Sequence, residues 1–159
     1  MRLSELNQLS PEKAREELLR CCGASRWASR VADLRPFADF SDVVRAADQV
    51  WSEMGEKDWR EAFDHHPRIG ASSANRWASQ EQKGTAQASE ATLQALVRGN
   101  QDYEKRFGHI FLVCATGKSA DEMLAILQAR LKNPPPEELR IAAGEQAKIT
   151  RLRLEKLLK

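Results

Sequence analysis

Ile110-Phe111-Leu112-Val113-Cys114-Ala115, set between Gly108 and Gly117, is the stretch whose reading decides the fold. Six consecutive apolar residues without helical period are long enough for a buried strand. No second strand elsewhere in the chain offers to pair with it. The run is therefore either a buried extended segment or the first turn of an apolar helix, and the sequence leaves both readings open. Neither one makes a sheet.

Outward from the run, the pattern is helical. Downstream, Ser119-Ala120-Asp121-Glu122 is a capping box, in which Ser119 and Glu122 satisfy each other's backbone donors. Its helix carries Met123, Ile126, Leu127 and Leu131 on one face and is expected to end at Asn133, before Pro134-Pro135-Pro136. A last helix starts near Pro136-Glu137-Glu138 and continues towards Leu158. Upstream, a long helix is predicted from about Ala78 to Arg98, then a short one from Gln101 to Phe107 closed by Gly108.

The N-terminal half repeats the theme. Ser10-Pro11-Glu12 combines a hydroxyl cap, a first-turn proline and an acid at the positive end of the dipole. That helix is expected to reach about Cys22 and to stop at Gly23 in a left-handed cap. A short helix carries Trp27 and Val31 as far as Arg35-Pro36-Phe37. Ser41 or Asp42 caps a helix with Val43, Val44, Ala47, Val50, Trp51 and Met54 at helical spacing, ended by Gly55, and a short helix through Trp59 and Phe63 follows. No repeat, low-complexity tract or linker interrupts residues 1–159. The expectation is one all-α domain of about seven to nine helices.

Composition narrows the function. A chain of 159 residues with 42% hydrophobic and 30% charged content can bury a core without staples. The net charge of +2, with both signs mixed along the chain, is not the footprint of a nucleic-acid binder. Cys21, Cys22 and Cys114 are odd in number and contain no CxxC pair, which argues against a disulfide framework or a zinc site and for a reducing compartment. No apolar run reaches signal-peptide or bilayer length, so a soluble cytoplasmic protein that meets no membrane is expected.

Three places break the pattern of a chain that merely folds. In Phe63-Asp64-His65-His66-Pro67-Arg68-Ile69-Gly70, the proline pushes His66 out of helical backbone onto a short ledge. Histidine titrates near neutrality, so a ledge facing a cleft suits proton transfer, whereas a solvated helix-ending turn is the plainer alternative. Ile149, Arg153 and Leu157 are spaced by four, which places a guanidinium in an apolar stripe. Either its stem snorkels to the rim or it points inward and needs an anion, such as a bound carboxylate. Ser79-Gln80-Glu81-Gln82 opens the predicted long helix, with Glu81 on a face of small residues, Thr85, Ala88 and Thr92. A solvated first turn is the competing explanation there. Metal binding by His65, His66 and His109 is disfavoured, because adjacent histidines do not share a helical face and no HExxH is present.

These pieces resemble a known family. Trp27, Arg35-Pro36-Phe37, Trp59-Arg60-Glu61-Ala62-Phe63, His66-Pro67-Arg68-Ile69-Gly70, Glu81-Gln82, Phe111 to Ala115 with Gly117-Lys118-Ser119, and Ile149-Thr150-Arg151-Leu152-Arg153-Leu154 occur in the order seen in 2-oxo-4-hydroxy-4-carboxy-5-ureidoimidazoline (OHCU) decarboxylases. The likeness runs from Leu6 to Leu158. It implies an all-helical homodimer without metal or organic cofactor, acting in urate breakdown to yield (S)-allantoin. Carried over by position, it implies His66 as the catalytic histidine, Glu81 as the active-site glutamate and Arg153 as the carboxylate-binding arginine. Substrate contacts would come from Pro67, Ser79, Gln82 and the run Phe111, Leu112, Val113, Cys114 and Ala115.

Two departures stand out. The family's serine three residues before the glutamate is Ala78 here, with Ser79 beside it, which puts one substrate hydrogen bond in doubt. After Gly108 comes His109-Ile110 instead of an aromatic and a small or proline residue. The rival functions are a non-enzymatic helical interaction domain and a metal-dependent hydrolase of a cyclic amide.

Overall fold

A computed structural model of the chain describes residues 1–68 and 89–159. Among the described residues eight helices form: α1 (Leu3–Gln8), α2 (Pro11–Leu19), α3 (Ser25–Asp33), α4 (Phe40–Ser52), α5 (Glu56–Phe63), α6 (Glu90–Phe107), α7 (Ala120–Arg130) and α8 (Pro135–Leu157). No strand occurs among them, so the all-α reading holds. The chain divides into two compact units, one of Met1–His65 with Gln146–Lys159, the other of His66–Glu145.

In the first unit, Ser10 caps α2 by accepting from Lys13 N at 3.3 Å, with Pro11 at the first helical position. The helix stops at Leu19, short of the expected Cys22, and Gly23 does not adopt left-handed backbone. Its reason is space: a Cβ on Gly23 would lie 2.4 Å from His65 Cγ and 2.7 Å from His65 Cβ. Glycine here permits close approach rather than a helix stop. Helix α3 buries Trp27, Ala28, Val31 and Ala32, and the Trp27 indole N–H donates to the Ala47 carbonyl of α4 at 3.1 Å.

The α4 cap is Asp39, not Ser41 or Asp42; its side chain accepts from Asp42 N at 2.9 Å. That helix ends at Ser52 with Glu53 as its cap, while Gly55 instead leads into α5, its N–H reaching Asp58 Oδ2 at 3.2 Å. The Arg35-Pro36-Phe37 break is a tether. Arg35 donates to the Ala32, Leu6 and Leu9 carbonyls, each at 2.8 Å, and Asn7 exchanges two hydrogen bonds with the Phe37 backbone. These carbonyls lie at the C-terminal ends of α1 and α3, where the regular intrahelical ladder runs out. Leu6, Leu18, Trp27 and Phe63 are fully buried in this core. Burying a leucine or phenylalanine contributes about 1.5–3 kcal/mol.

In the second unit, α6 is one continuous helix where two were expected. Ser89 holds extended backbone and caps it by accepting from Thr92 N at 3.1 Å, so no helix runs unbroken from Ala78 to Arg98. The predicted break near Asn100 is absent. The Asn100 amide turns back to the Leu96 carbonyl at 2.7 Å, and Gly99 gives room to Leu127, whose Cδ2 would lie 2.5 Å from an added Cβ. Gly108, at φ 77°, closes α6 as expected. The Ser119–Glu122 capping box forms, and α7 ends at Arg130 rather than Asn133. Leu96, Tyr103, Phe107, Phe111, Val113, Met123 and Leu127 make the core of this unit.

Candidate active site

The ledge grows out of the end of α5. Ala62 and Phe63 are buried, and beyond Phe63 the backbone turns through Asp64 and His65 to His66 and Pro67, both half-buried. His65 N donates to the Ala62 carbonyl at 3.2 Å, and its ring Nδ1 lies 2.9 Å from the Glu61 carbonyl. His65 thus finishes the helix. On the far side of Pro67, Arg68 grips Glu104 of α6 with Nη2 at 2.8 Å and Nε at 3.1 Å. The hydrogen bond and charge of Glu104 raise the Arg68 pKa further.

The run Ile110 to Ala115 is a buried segment with neither helix nor strand, which removes the apolar-helix alternative the sequence left open. Side chains take the place of a neighbouring strand. Arg130 Nη1 donates to the Leu112 carbonyl at 2.7 Å, Cys114 N donates to Glu145 Oε1 at 3.0 Å, and Lys118 Nζ donates to the Cys114 carbonyl at 2.8 Å. Buried peptide groups need such partners. Three of the peptide groups expected to meet a substrate, at Leu112 and Cys114, are thus engaged within the unit.

Behind the run lies a polar network that sequence reasoning missed. Glu138, fully buried at the start of α8, accepts from Tyr103 Oη, from Arg130 Nε at 2.9 Å and from Asn133 Nδ2 at 3.1 Å. The Arg130 guanidinium also sits 4.7 Å from the Phe111 ring centroid. Burial, then the hydrogen bond to Glu138, pushes the Tyr103 hydroxyl well above its ordinary pKa. The missed signal was the spacing of Arg130 and Glu138, eight residues apart across Pro134-Pro135-Pro136. It becomes an ion pair only once the prolines turn the chain.

Arg153 belongs to the other unit. It is 5% exposed, with Ile149 and Leu157 equally buried in the stripe, so it points inward and does not snorkel. Its Nη1 lies 3.4 Å from the Arg20 carbonyl. Cys21 and Cys22 are free and buried in the turn after α2. Burial pushes both thiols up to about 12, with Arg153 drawing them partly back. At neutral pH they are uncharged neighbours that leave the arginine's charge intact.

Glu81, Gln82 and Ser79 lie outside the described residues, as does Ala78. Among the described residues no three His, Cys, Asp or Glu side chains come together to hold a metal, and no helix is long and apolar enough to cross a membrane.

The OHCU decarboxylase family model matches residues 7–155. The chain belongs to that family. A uric acid degradation bifunctional protein TTL from Arabidopsis thaliana is 37% identical over 157 residues, 94% of this chain and 48% of the relative. The chain therefore spans about half the length of that protein. The 2-oxo-4-hydroxy-4-carboxy-5-ureidoimidazoline decarboxylase of Amia calva is 28% identical, covering 99% of this chain and 95% of its own. A crystal structure of an OHCU decarboxylase in the presence of (S)-allantoin superposes with a TM-score of 0.82 at 38% identity, over 90% of this chain and 97% of that one. Within this OHCU decarboxylase family member, the Trp27, Arg35-Pro36-Phe37 and Glu61 motif positions are structural ties.

Proposed function

We propose that this chain decarboxylates 2-oxo-4-hydroxy-4-carboxy-5-ureidoimidazoline to (S)-allantoin without a cofactor, in urate degradation. The observation that carries this reading is the 38%-identical OHCU decarboxylase solved in the presence of (S)-allantoin, matched over 90% of this chain. The inward-pointing Arg153 beside uncharged thiols supports it, since such a group suits a carboxylate ligand.

In this reading Arg153 forks the substrate carboxylate and holds the breaking C–C bond perpendicular to the ring π-system. Carbon dioxide leaves, and the electron pair spreads into adjoining C=N and C=O groups. His66 exchanges a proton with the substrate's hydroxyl or carbon, so that one face of the carbon is protonated. Glu81 orients ring or ureido nitrogens, aided by Gln82 and Ser79, while Pro67 and the run Phe111 to Ala115 line the ring. Residues 1–159 act as a single OHCU decarboxylase-like domain, as a homodimer in the cytoplasm.

The test is turnover of freshly generated substrate with chiral detection of the product. Wild type is expected to give (S)-allantoin in excess over the uncatalysed mixture, and His66→Ala to lose about 10²–10⁴-fold in rate with its fold intact. A wild type that gives no (S)-allantoin excess sinks the enzymatic reading in favour of an interaction domain. Activity abolished by a chelator and restored by metal would instead favour a metal-dependent hydrolase.

A further inference from the structure

The turn from Arg20 to Ser25 is held from two directions, and one of its partners has no assigned role. From α8, Arg153 Nη1 approaches the Arg20 carbonyl at 3.4 Å, and the Thr150 side chain is hydrogen-bonded with Cys22. From α5, Glu61 takes the other end in a two-point grip: its Oε1 accepts from Ser25 N at 3.1 Å and its Oε2 from Ser25 Oγ at 2.6 Å. Helix α3 has no capping side chain from its own Ala24, so Glu61 supplies from another element the acceptor that this N-terminus lacks. A carboxylate there also meets the positive end of the α3 dipole.

Glu61 lies in the last turn of α5, the helix from which the ledge departs. Its carbonyl lies 2.9 Å from the His65 ring, and that ring packs on Gly23 so closely that a Cβ would come within 2.4 Å of His65 Cγ. The segment Gly23 to Ser25 and the segment Glu61 to His65 are thus locked by two hydrogen bonds and a glycine-sized contact. His66 is the next residue in the chain. Arg153 borders the same turn at its opposite end.

We propose that Glu61 is a positioning residue for the decarboxylation: by gripping Ser25 it fixes where the chain leaves α5, and so the backbone that carries His66. This inference rests on the reading of His66 and Arg153 given above. Glu61 itself touches no substrate. A displacement of about 1 Å in a reacting group is enough to cost about 10²-fold, so loss of the grip is expressed in kcat more than in substrate binding.

The experiment compares wild type, Glu61→Ala, Glu61→Gln and Ser25→Ala, each purified and shown folded by thermal melting. The readouts are kcat, KM, the pH–rate profile and an NMR titration of the His66 ring. Glu61→Ala is expected to lower kcat by about 10–100-fold with KM changed much less, and to move the His66 titration and the pH–rate profile together. Glu61→Gln keeps one acceptor and is expected to recover most of that loss. Ser25→Ala removes only the 2.6 Å bond and is expected to fall between wild type and Glu61→Ala. If Glu61→Ala does not fold, Ser25→Ala and Glu61→Gln still decide the matter through the same readouts. Folded variants with lowered melting temperature but wild-type kcat, pH profile and His66 titration overturn the positioning role and leave the enzymatic reading standing. A wild type with no turnover overturns both.

Discussion

The two non-helical segments of this helical chain, the run Ile110 to Ala115 and the ledge His65 to Arg68, are built in opposite ways. The run is buried, and side chains from elsewhere in its unit hold its peptide groups: Arg130, Glu145 and Lys118. The ledge is half-buried to exposed and is set by its own proline, then pinned at its ends by Gly23 contact and the Arg68–Glu104 pair. A buried extended segment is expensive unless every polar group finds a partner. A ledge near water has no such obligation and is free to present a side chain. The contrast explains why the first is fixed by partners remote in sequence and the second by its own proline.

Substitutions can break this contrast by degree. The largest stability loss is expected at Glu138→Ala, which leaves the buried Arg130 without its carboxylate; about 3–5 kcal/mol should vanish in a denaturant titration. A result near zero would mean that the network does not support the run. Glu145→Ala strips the acceptor from the buried Cys114 N–H and should cost about 1–3 kcal/mol by the same measurement.

A pH titration sharpens the comparison from the other unit. Cys21 and Cys22 titrate near 9 when unperturbed and near 12 in the fold. The fold keeps its protons longer than the unfolded chain does, so stability is full below about pH 9 and falls as pH rises towards 12. Denaturant midpoints should decline over that window, and Cys21→Ala with Cys22→Ala should flatten the decline. The smallest effect is expected at Arg68→Ala. Its pair with Glu104 is on the surface, so only a marginal drop in the denaturant midpoint is expected, and only at low salt.

Much was legible in the sequence because its signals are local. Ser10 with Pro11, the Ser119–Glu122 box and Gly108 act within a few residues, and each did in the structure what its chemistry predicts. Misread residues were glycines and a polar side chain whose role depends on which partner they meet. Gly23 looked like a helix stop but makes room for His65, and Gly55 looked like an end but leads a helix. The expected gap between Arg98 and Gln101 is bridged by helix, with the Asn100 amide returned to the Leu96 carbonyl.

By itself, the sequence determined that this is a helical chain of the OHCU decarboxylase family, and it marked His66 and Arg153 as out of place among packing residues. Period, caps and proline restrict backbone locally, so they can be read without a fold. Tertiary structure alone decided that Arg153 turns inward, that the run Ile110 to Ala115 forms no helix and no strand, and that Arg130 and Glu138 pair behind it. Those outcomes depend on which polar groups lose water together and which partners reach them. Only three-dimensional proximity settles that.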